Sequence, residues 1–178
     1  MDYGHNAHAV GVMADLAGRL DVSGRRIIVV AGPGDRRDED LVEIAGAVAG
    51  KFDHYIVRRD DALRGRDGDE VPRIIAKALR EKGVADVAIT IIPDEQEAIA
   101  SALKMGQPGD LLLVFADALA RSWKQITKFH AEGTPAPAVK RVEPVAAIEP
   151  AIEERAVVEM DGLIRDERGI RFARDTED

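Results

Sequence analysis

Four short apolar runs constrain this chain more than anything else in it. RIIVVAG at 26–32, HYIVR at 54–58, VAITIIP at 87–93 and DLLLVFAD at 110–117 are rich in β-branched and aliphatic residues and show no polar alternation. A strand that is apolar on both faces has both faces covered, which is the condition of a parallel sheet between two layers of helix. Parallel neighbours need a crossover rather than a hairpin, and the stretches between the runs suit that purpose. Leu41, Ile44, Ala45 and Val48 form one apolar stripe at helical spacing, and Ile74, Ile75, Ala78 and Leu79 form another. PDEQEAIASALKMG at 93–106 carries helix punctuation, with Pro93 near the start, Asp94, Glu95 and Glu97 in the first turn and Gly106 past the end. A further helix is expected over about 6–19, with Val10, Met13, Leu16 and Ala17 inward, and a last one over about 118–129. Right-handed crossovers then give an α/β fold, a Rossmann-like three-layer sandwich with a mostly parallel sheet.

The pattern stops near residue 129. Pro135, Pro137, Pro144 and Pro150 lie close together among Ala, Val and Glu, which describes an extended linker that cannot sustain a helix. Beyond it, RAVVEMDGLIRDERGIRFARD at 155–175 reads as a small β-hairpin, with turn signals at Asp161-Gly162 and Arg168-Gly169. The expected division is therefore a domain over 1–129 and a Pro-rich linker with a small β extension over 130–178.

Charge and composition narrow the function. A formal net charge of -8 disfavours nucleic acid and anionic membrane as partners, since both are held by a basic surface. With no cysteine in the chain, disulfides, thiolate metal sites and cysteine nucleophiles are excluded. No apolar run has the roughly 20 residues of a membrane helix, and the start lacks a basic region followed by an apolar one. A cytoplasmic address is expected, and a homo-oligomer is left open.

Three stretches carry site-type residues. AGPGDRRDEDL at 31–41 follows the first strand, where two glycines permit a tight turn and the free amides of the next helix make an anion site. It lacks a full GxGxxG, because position 37 is Arg, and nothing in the chain matches the GxxxxGK[ST] of a P-loop. RRDDALRGRDGDE at 58–70 follows the second strand, at the edge where open α/β folds collect ligands. Arg64 and Arg66 are candidates there to grip a carboxylate or phosphate. MDYGHN at 1–6 puts Asp2, Tyr3, His5 and Asn6 at a terminus, where order is unusual unless something ties the chain down. His5 and His8 are three apart with no third ligand at metal spacing, so no metal site is assigned. The serines lie in no GxSxG elbow.

Taken in order, a DYxHN start, a helix, a strand, GPGDRRDED, a strand and RRDDALRGR resemble the C-terminal domain of the Mur ligase family over about residues 2–128. Within that family the similarity is to the branch that attaches arginine to the side-chain carboxylates of an aspartate polymer. The resemblance implies a lid that closes over a central P-loop domain holding ATP and Mg2+. There a carboxylate is phosphorylated and an amine attacks the acyl phosphate to form an amide. It implies that Asp2 and Tyr3 face the nucleotide and that His5 and Asn6 lie near its phosphates. Gly34, Asp35, Arg36 and Arg37 would then line the pocket of the incoming amino acid, with Arg64 and Arg66 nearby. Asp35, Asp38, Asp60 or Asp61 is expected to pair with a substrate guanidinium. The partners implied are the P-loop and ATP-grasp domains, or a subunit carrying them. DYxHN would sit just after an interdomain hinge, so this chain is expected to be cut, or encoded, at a domain boundary and to be inactive alone. Two other readings are a stand-alone nucleotide- or anion-binding module and a docking protein that uses residues 130–178.

Overall fold

The computed structural model describes residues 1–130, 163–166 and 169–172. The chain divides into two units, Met1–Ala136 and Pro137–Asp178.

In the first unit the apolar runs become strands β1 (Arg26–Val30), β2 (His54–Val57), β3 (Ile89–Ile91) and β4 (Leu111–Val114). They alternate with helices α1 (Ala7–Arg19), α2 (Asp38–Val48), α3 (Glu70–Glu81), α4 (Glu95–Met105) and α5 (Leu119–Lys128). The sheet runs β3-β2-β1-β4 and every pairing in it is parallel, with Ile28 opposite Tyr55 on one side and Leu113 on the other. Strand parity sorts the apolar residues into two layers. Ile28, Val30, Tyr55, Val57, Leu113 and Phe115 pack with the buried faces of α1, α2 and α3. Val29, Ile56, Val114 and Ala116 pack with Ala98, Ile99 and Ala102 of α4 and with Ile126 of α5. Ile27 to Val30 are all at 0% exposure. Each such side chain contributes about 1.5–3 kcal/mol, so β1 is the axis of the fold.

Two expectations need correction. Leu16 is 49% exposed, and Ala14 at 0% takes the inward place. At the α1–α2 seam a Cβ on Gly11 would be in ordinary contact with Ala47 at 3.6 Å. The run at 87–93 yields a strand of three residues, because Asp86–Ala88 winds into a 3-10 turn that leaves Val87 91% exposed.

Strand order decides where a site can form. The crossovers from β1 to β2 to β3 carry α2 and α3 over one face, and α4 returns over the other to bring β4 to the far side of β1. The loops after β1 and β4 therefore part in opposite directions, and a crevice opens between them at the carboxyl ends of the strands.

In the second unit β5 (Leu163–Asp166) and β6 (Gly169–Phe172) pair antiparallel, with Leu163 opposite Phe172 and Asp166 opposite Gly169. The linker prolines, Asp161-Gly162 and Arg168 lie outside the described residues.

Candidate functional site

The N-terminal segment is tied down at the crevice. The Asp2 amide donates to the Val114 carbonyl at 2.9 Å, and the Ala116 amide donates to the Asp2 carbonyl at 3.0 Å, so the segment extends the free edge of β4. The Asp2 carboxylate accepts the Gly4 amide at 2.6 Å, and a Cβ on Gly4 would meet the Phe115 ring at 2.8 Å. Tyr3 and His5 hold their rings 5.3 Å apart at the surface. Asn6 caps α1 by accepting the Ala9 amide at 2.9 Å, so its oxygen already has a structural partner. Together with Ala31, Gly32 and Pro33 after β1, Arg58 and Asp60 after β2, and Phe115 and Asp117 after β4, Gly4 and His5 line a narrow cleft. Beside it an open pocket of about 480 Å³ is bounded by His5, Asn6, Ala7, Arg36, Arg37, Asp40 and Glu43.

The two polar loops interlock. Gly34 approaches the Leu63 carbonyl so closely that a Cβ there would overlap its oxygen. Asp35 pairs with Arg64 at 2.9 Å, and Arg64 adopts a left-handed φ of 50° beside Gly65 at 90°. The Arg64 guanidinium holds the Asp35 carboxyl below its ordinary range, against the opposing effect of burial. Arg66 donates to the Gly34 carbonyl at 2.9 Å and the Arg36 carbonyl at 2.7 Å, and pairs with Asp38 at 2.8 Å and Glu70 at 2.6 Å. Its fork clamps the loops to each other. Arg37 pairs with Asp40 at 2.8 Å, and Asp40 in turn accepts the Arg37 amide at 3.2 Å to secure the start of α2. Among the described residues the Arg36 guanidinium has no ion-pair partner, and it faces the open pocket.

The four carboxylates expected to meet a substrate guanidinium all meet guanidinium groups of this chain. Asp35 and Asp60 lie on Arg64, the latter at 3.5 Å, Asp38 lies on Arg66, and Asp61 lies on Arg121 at 2.6 Å.

Sequence reasoning missed a buried ionic network. The side chains of Arg58 and Glu95 are 1% and 0% exposed and pair at 3.0 Å. Arg58 also reaches Asp117 at 2.8 Å. Glu95 accepts the Ser122 hydroxyl at 2.7 Å and the Asp117 amide at 2.6 Å. Burial pushes the Glu95 carboxyl up, but Ser122, the Asp117 amide and Arg58 together outweigh it and hold the carboxyl low. Burial and the neighbouring Asp117 carboxylate raise Asp60, whereas Asp117 is held down by Arg58 in spite of its own burial. The carboxylates of Asp61, Glu95 and Asp117 converge within 4.8 Å, and Arg58 and Arg121 balance them. Strand parity was the available signal, since Arg58 shares a face with Ile56 and so points toward the α4 layer.

A parallel α/β domain with a tethered N-terminal motif and two interlocked loops at its switch point has the crevice at which open α/β folds bind ligands. Residues 1–118 match the family described as "Mur ligase, glutamate ligase domain". The chain belongs to this family of Mur ligase C-terminal domains. It is 37% identical to the cyanophycin synthetase of Geminocystis herdmanii over 130 residues, covering 73% of this chain and 14% of that protein. It is 40% identical to that of Trichormus variabilis over 133 residues, covering 71% and 14%. The chain thus spans about one seventh of these relatives. The UDP-N-acetylmuramyl-tripeptide synthetase of Treponema pallidum is 28% identical over 115 residues, covering 64% of this chain and 21% of that protein. A UDP-N-acetylmuramoyl-L-alanyl-D-glutamate–2,6-diaminopimelate ligase shares the fold at a TM-score of 0.55 and 20% identity, over 71% of this chain and 28% of that one. A murein peptide ligase from Psychrobacter arcticus shares it at 0.52 and 15%, over 73% and 27%.

Proposed function

We propose that this chain is the lid domain of an ATP-dependent amide ligase similar to cyanophycin synthetase, which joins an amino acid, arginine, to carboxylates of an aspartate polymer. The observation that carries this reading is the family match through residue 118, coinciding with one pocket where His5 and Asn6 meet Arg36 and Arg37. Cationic and hydrogen-bonding groups there suit the phosphates of ATP. The nucleotide with its Mg2+ supplies the phosphoryl group that activates the carboxylate, held mainly by a central P-loop domain. Asp2 and Tyr3 serve the nucleotide side, and His5 serves the phosphates. Asn6 serves by starting α1 at the pocket wall. Arg36 offers its free guanidinium to the incoming amino acid's carboxylate. Arg37 lines the same pocket beside Arg36, and Gly34, Asp35, Arg64 and Arg66 serve the substrate by fixing the loop that carries both arginines. Closure over the central domain excludes water from a reaction that water would divert.

ATP turnover and amide formation by the chain alone, and then with the remaining ligase domains supplied, test this. No turnover alone and turnover on reconstitution are expected. Turnover by the chain alone overturns its incompleteness. Micromolar ATP binding by the chain alone in calorimetry overturns the lid in favour of a stand-alone binding module.

A further inference from the structure

The buried pair Arg58–Glu95 takes no part in the reading above, yet it holds the stretch on which the N-terminal motif hangs. β4 ends at Val114, and the next three residues have no further strand of the sheet to fix them on the β1 side beyond the Phe115 amide, which donates to Val29 at 3.0 Å. The guanidinium of Arg58 supplies the rest. Nε and Nη2 donate to the Phe115 carbonyl at 3.3 and 2.9 Å, and Nη1 donates to the Arg59 carbonyl at 2.6 Å and to Asp117 at 2.8 Å. Glu95 completes the clamp by accepting the Asp117 amide at 2.6 Å. On the other side of the same stretch, Val114 and Ala116 make the two backbone bonds to Asp2, and the Phe115 ring sits against Gly4.

A buried ion pair taken by itself is commonly no more stabilising than well-packed apolar residues, so what sets this one apart is the backbone groups it also holds. Apolar side chains cannot aim a carbonyl and an amide once the ladder has ended. We propose that Arg58 and Glu95 are positioning residues that set the place of the Asp2–Asn6 segment at the pocket, acting through Phe115–Asp117. The catalytic consequence, correct presentation of Asp2 and His5 to the nucleotide, rests on the ligase reading. The mechanical part does not.

Amide hydrogen exchange on the full chain tests the mechanical part in two variants, Glu95→Gln and the apolar double Arg58→Met with Glu95→Met. In both, protection of the Ala116 amide should fall tenfold or more relative to amides of the β1–β2 ladder. The double variant also strips partners from the Phe115 and Arg59 carbonyls and from Asp117, so its thermal midpoint should fall, and the loss at Ala116 is counted only beyond the loss at the β1–β2 ladder. Equal loss of protection throughout the sheet, or wild-type protection of Ala116 in the double variant, assigns the pair to stability alone and overturns the proposal. With the remaining ligase domains supplied, the double variant should raise KM for ATP severalfold and leave KM for the amine unchanged. An unmoved KM for ATP in an enzyme that turns over also overturns the positioning role. A wild-type assembly that does not turn over sinks the ligase reading instead and leaves the exchange result to decide the clamp.

Discussion

Arginine side chains at the carboxyl edge of this sheet are mostly engaged with the protein itself. RRDDALRGR invites a reading of ligand grips, because guanidinium groups in a long polar loop at a strand end are the usual means of holding carboxylates. Residue types showed that ion pairs would form there but not between which partners. Arg64 and Arg66 each have one partner four residues away, Asp60 and Glu70, but their other partners, Asp35 and Asp38, come from the segment after β1, a relation that local spacing does not encode. For Arg58 strand parity gives the face but not the partners, which belong to α4 and the end of β4, and the run of charge around it looks solvated. Gly34 is where the interlock is most exposed to test. Its φ is not in the left-handed region, so what forbids a side chain is the Leu63 carbonyl and not backbone strain. Gly34→Ala should destabilise the domain by about 1–3 kcal/mol, the usual range for overpacking against an atom that cannot rotate away. Thermal unfolding would show it as a midpoint lowered by roughly 2–4 °C per kcal/mol for a chain of this size.

Elements were more legible than contacts, because periodicity reports which face is covered. β1, β2 and β4 are apolar on both faces and become strands, and the α2 and α3 stripes become buried helix faces. Val87 is apolar and exposed, so a run that looked uniform conceals a turn. Ala14 is buried and Leu16 exposed, an assignment that a ranking by hydrophobicity reverses because it favours the larger residue. α4 is the element whose start carries the most. Asp94 caps it by accepting the Glu97 amide at 2.9 Å, and the next residue is the buried Glu95. Asp94→Ala should lower stability by about 0.5–2 kcal/mol, with Asp94→Asn near wild type, because the cap needs only a short side-chain oxygen. Urea midpoints with unchanged slopes would establish that the loss is one of stability.

At the scale of the whole molecule, opposing titrations bound the pH range in which the fold is most stable. Asp35, Asp40, Asp110, Asp117 and Glu95 are held below their ordinary range. Each takes up protons more readily unfolded than folded, so their contribution is complete above the ordinary carboxylate range and is lost as pH falls through it. His54 is also lowered, by burial and then by Arg25, so stability begins to decline as pH drops below about 6.5. Asp60 has the opposite sign. Burial and Asp117 raise it, so the folded state binds its proton the more tightly, and its contribution is lost as pH rises through that raised value. Asp60→Asn keeps an oxygen for the Ala62 amide, which Asp60 accepts at 3.2 Å, and removes the charge that crowds Asp117. Its thermal midpoint should exceed that of the wild type at pH 7 and converge with it below the carboxylate range. Asp110→Asn, which removes the partner of Arg25 at 2.7 Å, should lie below the wild type at pH 7 and converge likewise at low pH. Midpoints measured from pH 3 to 8 separate the two, and an Asp60→Asn curve lying below the wild type at pH 7 would show that the crowding of carboxylates at the cleft does not weigh against the fold.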